Sequence, residues 1–287
     1  MKFIRIIPKL DIKGKNLVKG VHLEGLRVLG DPSEFANYYA NNGADEIIYN
    51  DVVASLYGRN SILDLISKTA LSCSIPITVS GGIRSIDDIK KTLIAGADKI
   101  AINTAAVENP EFIKQAVNIF GSSTIVINIE TSFYNNKFMV FTNNGREQTK
   151  YSVEEWIKII QENGVGEILL TSIDNEGTGK GFNSELVRNI YQIIKIPLIL
   201  NGGAHQPSDI AKIKEEFGLD AFAISSLLHY NFLSNKNKNN YETLLGNTSF
   251  IKSNKSFKNF GSFSIKDIKM ELLKNKIPTR DKWELNV

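Results

Sequence analysis

The chain has 287 residues, 42% of them hydrophobic and 23% charged, with 21 glycines and 7 prolines. That composition supplies a sizeable core and excludes disordered, collagen-like and coiled-coil chains, while the length fits one or two ordinary domains or one barrel of about 250 residues. Lys and Arg number 34 against 31 Asp and Glu, and a net charge of +3 gives no basic face for nucleic acid or a membrane surface.

Short apolar runs alternate with amphipathic stretches along the chain. FIRIIPKLD (3–11) precedes a helical stretch at 31–44 that opens on Asp31-Pro32. EIIYND (46–51) and IPITVS (75–80) follow, then a helix at 85–97, KIAIN (99–103), a helix at 109–121 and TIVINIE (124–130). A helix at 152–166, EILLTS (167–172), IPLILN (196–201) and AFAIS (221–225) complete the regular part. Nearly continuous apolar runs of this kind suit parallel strands buried on both faces. Eight strands, each followed by a helix, predict a closed (β/α)8 TIM barrel as one domain over 1–287; an open doubly wound sheet is the alternative.

Two stretches break the rhythm. Residues 131–150 carry two alternating runs around polar turn residues, and a small hairpin is expected there. Residues 231–260 hold eight Asn and five Lys without clear periodicity and read as a long surface loop before a last helix at 264–276. The chain also repeats itself. Glu46 and Glu167, Gly82 and Gly203, and Asp88 and Asp209 are each 121 positions apart, and Asp11 and Glu130 are 119 apart. A period near 120 is half a barrel, so four βα units look duplicated.

Active sites of such barrels lie at the C-terminal ends of the strands. Asp11 and Glu130 end strands related by the repeat, which sets two carboxylates on opposite sides of one mouth. They can serve as general acid and base, or each can simply cap a loop. Gly81-Gly82 and Gly202-Gly203 follow the third and seventh strands, with Asn103-Thr104 and Ser225-Ser226 after the fourth and eighth. Backbone N–H groups and hydroxyls so grouped suit phosphate, and two such groups imply a small substrate with a phosphate at each end. The glycine-rich TSIDNEGTGKG (171–181) is placed to close over one of them, and it lacks the Walker pattern.

Arg5, Glu46, Lys99 and Glu167 stand near strand starts, at the bottom of the barrel. Four charges of balanced sign there form either a structural plug or a gate on a passage to the mouth. His22, His205 and His229 are scattered without metal-ligand spacing, so no metal and no cofactor is expected. The one cysteine, Cys73, falls in a predicted helix as a small core residue and has no nearby His. No run approaches 18 apolar residues and the apolar start is too short for a secretory signal, so a cytoplasmic protein is expected.

RIIPKLDIKGKNLVKG, GDP, DEIIYNDVVAS, IPITVSGGIRS, GADKIAINTAAVENPE, GEILLTSID, EGT and NGGA together resemble the cyclase subunit family of imidazole glycerol phosphate synthase over about 1–230 and 262–280. The resemblance implies an enzyme of histidine biosynthesis, a carbon–nitrogen lyase and cyclase without cofactor. Ammonia from a separate glutaminase subunit, docked at the strand N-terminal face as a heterodimer, would enter at the bottom. At the top it would convert phosphoribulosyl-formimino-aminoimidazole carboxamide ribotide to imidazole glycerol phosphate and aminoimidazole carboxamide ribotide. By the same resemblance Asp11 matches a catalytic aspartate, Lys19 a lysine of the first loop and Asp51 a polar active-site residue. Gly82, Asn103 and Thr104 match one phosphate site, and Gly177, Gly203 and Ser226 the other. Arg5, Glu46, Lys99 and Glu167 match a charged gate for ammonia, and Asp98 a position near the glutaminase.

Several positions depart from that family's pattern. Glu130 stands for its second catalytic aspartate, Lys9 for a cysteine, Val53 for a threonine, Ser80 for a glycine, Asn201 for a serine and Glu176 for an aspartate. Changes clustered at the mouth above an unchanged gate allow a second reading, a paralogue that channels ammonia to a synthase amidating surface sugars. A non-catalytic scaffold for a glutaminase and another synthase is a third, which the phosphate loops disfavour.

Overall fold

In the computed structural model the described residues are 3–54, 62–235, 261 and 263–280. Twelve strands occur among them, in chain order β1 (Arg5–Lys13), β2 (Asn16–Val21), β3 (Glu24–Gly30), β4 (Ile47–Asp51), β5 (Ile77–Ser80), β6 (Lys99–Ile102), β7 (Ile125–Tyr134), β8 (Lys137–Thr142), β9 (Glu147–Ser152), β10 (Glu167–Ser172), β11 (Leu198–Asn201) and β12 (Ala221–Ile224). Eight of them pair in parallel in the order β1-β4-β5-β6-β7-β10-β11-β12, and β12 returns to β1. The sheet therefore closes into a (β/α)8 barrel. Helices follow the barrel strands, and their starts carry the expected punctuation. Asp31 accepts from the Ser33 N–H at 2.7 Å, and Ser85, Ser152 and Ser264 each form a capping box.

The other four strands form two antiparallel extensions. β1 runs past Asp11 to Lys13 and turns back into β2 and β3; β7 runs past Glu130 to Tyr134 and turns back into β8 and β9. The two carboxylates thus sit where barrel strands pass into hairpins rather than at strand ends. The first extension has no counterpart among the sequence expectations. Its tip is His22-Leu23, both at positive φ (52° and 63°), a turn that ordinarily selects Asn or Gly. Asn143 and Asn144 take the same conformation (φ 52° and 58°) 121 positions later, so the half-barrel repeat includes the hairpins.

The Asn/Lys-rich stretch requires a correction. Asn231–Asn235 are not loop but the end of a helix that opens at Ser226. Phe232 packs against Phe35 and Tyr38 with ring centroids 4.5 Å from each, and this burial keeps the helix going. The rest of the expected loop, 236–260, lies outside the described residues. Cys73 also moves, from the helix to the residue just after Leu63–Ser72, where it is half-buried. Among the described residues no helix is long and apolar enough to cross a membrane.

The last described helix, Ile265–Lys274, docks on the helix Pro207–Phe217, and the chain after it pairs with the start of the barrel through a bridge between Ile4 and Thr279. A buried ion pair fixes this closure. Lys269 Nζ lies 3.0 Å from Asp45 Oδ1, while Asp45 Oδ2 accepts from the Ile6 N–H at 2.8 Å. Removing the carboxylate leaves a buried ammonium without its counter-charge, bonded among the described residues only to the Arg280 carbonyl, and deprives an N–H of β1 of its acceptor. Asp45→Ala should therefore destabilise the chain by about 3 kcal/mol, read as a lower urea midpoint with an unchanged slope.

Candidate active site

Side chains alternate along a strand, so β1 aims Arg5, Ile7, Lys9 and Asp11 at the barrel axis while Ile6, Leu10 and Ile12 join the outer core. The other strands follow suit, and the interior is built in layers. At the bottom, Arg5, Glu46, Lys99 and Glu167 close a ring. Arg5 Nη1 donates to Glu46 at 3.1 Å and Nη2 to Glu167; Lys99 Nζ reaches Glu46 at 3.2 Å and Glu167 at 2.9 Å. Thr78 Oγ1 adds a 2.6 Å bond to Glu46. Above the ring lies an apolar layer that includes Ile7, Ile48, Ala101, Val126, Leu169 and Ile199. Asp98 stays outside the ring, exposed, accepting from the Ile77 N–H at 2.8 Å.

Polar side chains return above the apolar layer. Asp11 is buried and accepts from Lys9 Nζ at 2.6 Å, Lys19 Nζ at 3.1 Å and Asn50 Nδ2 at 3.0 Å. Burial alone would raise its pKa, but the charges of Lys19 and Lys9 and the Asn50 bond outweigh it and hold the carboxyl well below the ordinary range. Lys19, projecting from β2, also contacts Glu176, and these two carboxylates overcome its burial and raise its pKa. Asp11 is therefore a fixed anion in a lysine clamp.

Glu130 lies four strands around the ring from Asp11, diametrically opposite. It is buried, and its clearest partner is the Gly145 N–H at 2.8 Å, from the turn between β8 and β9. Burial pushes its pKa up from 4.5 to about 7, and the negative charge of Asp11 adds to that; Lys9, the Gly145 bond and a hydrogen bond from Asn128 only partly pull it back. The titration of two carboxyls of one site is thus pushed apart, Asp11 downward and Glu130 up to about 7. That is what an acid–base pair requires.

The glycine-rich turns converge on the same mouth. A cavity of about 210 Å³ is lined by Gly82, Arg84, Asn103, Thr104, Asn128 and Glu130 among others. A smaller cleft on the opposite side is lined by Glu176, Gly177, Asn201, Gly203, Ser225 and Ser226. Gly177 and Gly203 are at positive φ and in tight contact with backbone: a Cβ would meet the Gly20 carbonyl at 2.3 Å in one case and the Gly181 carbonyl at 2.1 Å in the other. The first contact locks the loop after β10 onto the β2–β3 hairpin, aided by the His22 N–H, which donates to the Glu176 carbonyl at 2.8 Å. Asp51 lines the larger cavity but turns one oxygen to its own loop, accepting from the N–H groups of Val53 and Ala54.

Residues that the sequence alone did not single out complete the site. Asn50, Asn128, Asn144 and Gly145 line the cavity or bond the carboxyls, and their only sequence signal is an inward strand position or a turn. His229 is buried between the Tyr39 hydroxyl, 2.7 Å from Nδ1, and the Lys9 carbonyl, 3.1 Å from Nε2. Burial, with the nearby Lys19 charge, lowers its pKa to about 3, so it is a neutral strut under Lys9. Among the described residues no group of three or more His, Cys, Asp or Glu is set to hold a metal ion.

The chain matches the histidine biosynthesis protein family over residues 5–234. It is similar to imidazole glycerol phosphate synthase subunit HisF of Legionella pneumophila, 53% identical over 204 residues that cover 71% of this chain and 96% of that one. The same-named subunit of Methanopyrus kandleri is 42% identical over 245 residues, covering 79% and 90%. That of Lactococcus lactis subsp. cremoris is 39% identical over 278 residues, covering 96% of both chains. With a barrel of this layering and a match across most of its length, the chain belongs to the histidine biosynthesis protein family.

Proposed function

We propose that this chain is the ammonia-using cyclase and lyase of imidazole glycerol phosphate synthase, acting on phosphoribulosyl-formimino-aminoimidazole carboxamide ribotide. The observation that carries the reading is the opposed pair of buried carboxyls, Asp11 clamped by Lys9, Lys19 and Asn50 and Glu130 bonded by the Gly145 N–H. Asp11, ionised, takes a proton from the nitrogen that ammonia delivers; Glu130, protonated, gives one to the departing group. Lys19 fixes Asp11 and tethers it to the loop that carries Gly177. One substrate phosphate sits at Gly82, Asn103 and Thr104, with Asp51 beside the substrate between the two ends, and the other at Gly177, Gly203 and Ser226. Both ends use backbone N–H groups, which suit anionic oxygens.

The partner is a glutaminase subunit docked at the strand N-terminal face of a cytoplasmic heterodimer. There the ring of Arg5, Glu46, Lys99 and Glu167 acts as the ammonia gate. An open groove lined in part by Phe3, Ile194, Ile196 and Leu219 lies beside Arg5 on that face, and Phe3 is 57% exposed.

With ammonium salts and no partner, the purified chain should turn over the ribotide; absence of imidazole product at saturating ribotide and high ammonium overturns the reading. Asp11→Asn and Glu130→Gln should each lower kcat by about 100-fold or more, while calorimetric affinity for the ribotide stays within a few-fold. A second expectation concerns pH. Glu130 must be protonated to act as acid, so kcat at constant free ammonia should fall as pH rises through about 7. Lys9 favours the ionised form of Glu130, so Lys9→Met should move that limb to higher pH. The same group biases folding. With its pKa raised from 4.5 to about 7, Glu130 contributes stability that is complete below about pH 4.5 and lost as pH rises through 7. Glu130→Gln should flatten that part of the stability profile.

A further inference from the structure

Three side-chain oxygens lining the larger cavity are buried without a hydrogen-bond partner: Oδ1 of Asn103, Asn128 and Asn144. Their amide nitrogens are already engaged, that of Asn103 with the Phe141 carbonyl at 3.1 Å, that of Asn144 with the Leu23 carbonyl at 3.4 Å and that of Asn128 with Glu130. The oxygen is thus the free end of each. A buried acceptor is costly to leave unpaired, and a cluster of them is a site waiting for donors. Phosphate oxygens are acceptors and satisfy none of these carbonyls; in this cavity the Gly82 turn, Thr104 and Arg84 are the groups that suit them. A hydroxyl brings one donor and two lone pairs. A small molecule with three N–H bonds and one lone pair matches the inventory best.

Position adds to chemistry. Asn128 is the inward residue of β7 between Val126 of the apolar layer and Glu130, and it is only 2% exposed. Anything rising along the barrel axis meets it immediately before the acid. Lys9, whose charge is felt at Glu130, disfavours a second cation there and selects the uncharged species.

We propose that the Asn128 carbonyl, with those of Asn103 and Asn144, forms a receiving site for uncharged ammonia beside Glu130. This rests on the reaction proposed above and reassigns the oxygen of Asn103 from phosphate to ammonia. The bound molecule donates its N–H groups to the amides and keeps its lone pair for the substrate carbon.

The test is steady-state kinetics with ammonium chloride varied at saturating ribotide, then ribotide varied at saturating ammonium, at one pH. Asn128→Ala should raise the KM for ammonium about ten-fold, the loss of one buried hydrogen bond, with the KM for ribotide within two-fold of the original. Asn144→Ala, on a turn outside the barrel layers, should shift it in the same direction and decides the matter if Asn128→Ala does not fold. An ammonium KM that stays within two-fold overturns the proposal, as does a ribotide KM that rises in parallel, which would make the amides a sugar subsite. An original chain without turnover removes the reaction reading itself, and this inference with it.

Discussion

A two-residue period on strands with both faces buried governs everything else in this molecule. Every second side chain of eight parallel strands must enter a space too narrow for anything but side chains, so the interior is forced into layers. On β1 alone the succession Arg5, Ile7, Lys9, Asp11 spells the order charge, hydrocarbon, charge, charge. A shift of one residue would send Ile6, Leu10 and Ile12 inward and put two cations and a carboxylate among the outer helices. Register and chemistry are therefore one constraint, and an apolar layer separates the bottom ring from the mouth.

Much of this frame was legible in the sequence. Apolar runs such as EIIYND and EILLTS located barrel strands, because a strand buried on both faces has no polar side to hide it. The offset of 121 exposed the duplication. The β2–β3 hairpin was not legible, because its tip is His22-Leu23, two residues that seldom take positive φ; here His22 is bonded to the loop after β10 through the Glu176 carbonyl. Its twin turn uses Asn143 and Asn144, for which that conformation is ordinary. The end of the helix at Asn235 was masked by composition: an Asn-rich stretch reads as loop, yet Phe232 is buried among aromatic rings.

The site divides along the same line. Charged residues at strand starts and carboxylates near strand ends are visible from position alone, as are paired glycines after strands. What separates Asp11 from Glu130 is not. Both are acids on inward positions of related strands, and the difference lies in their neighbours: two lysines and an amide for one, a lone backbone N–H and the Asn128 amide for the other. Nor does a sequence reveal which asparagine oxygens are left without donors, since that depends on where each nitrogen has gone.

The bottom ring has a property that a simple pair of salt bridges lacks. Arg5 and Lys99 each touch both Glu46 and Glu167, so every carboxylate has two cationic partners. If one cation swings away, neither acid is abandoned; each keeps half its neutralisation, and Thr78 still donates to Glu46. Lys99 is also the slimmer and more flexible of the two side chains, while the planar Arg5 fork fits both acids at once. The ring is redundant by one member, and redundancy makes it possible to part a ring of buried charge without ever leaving a bare one.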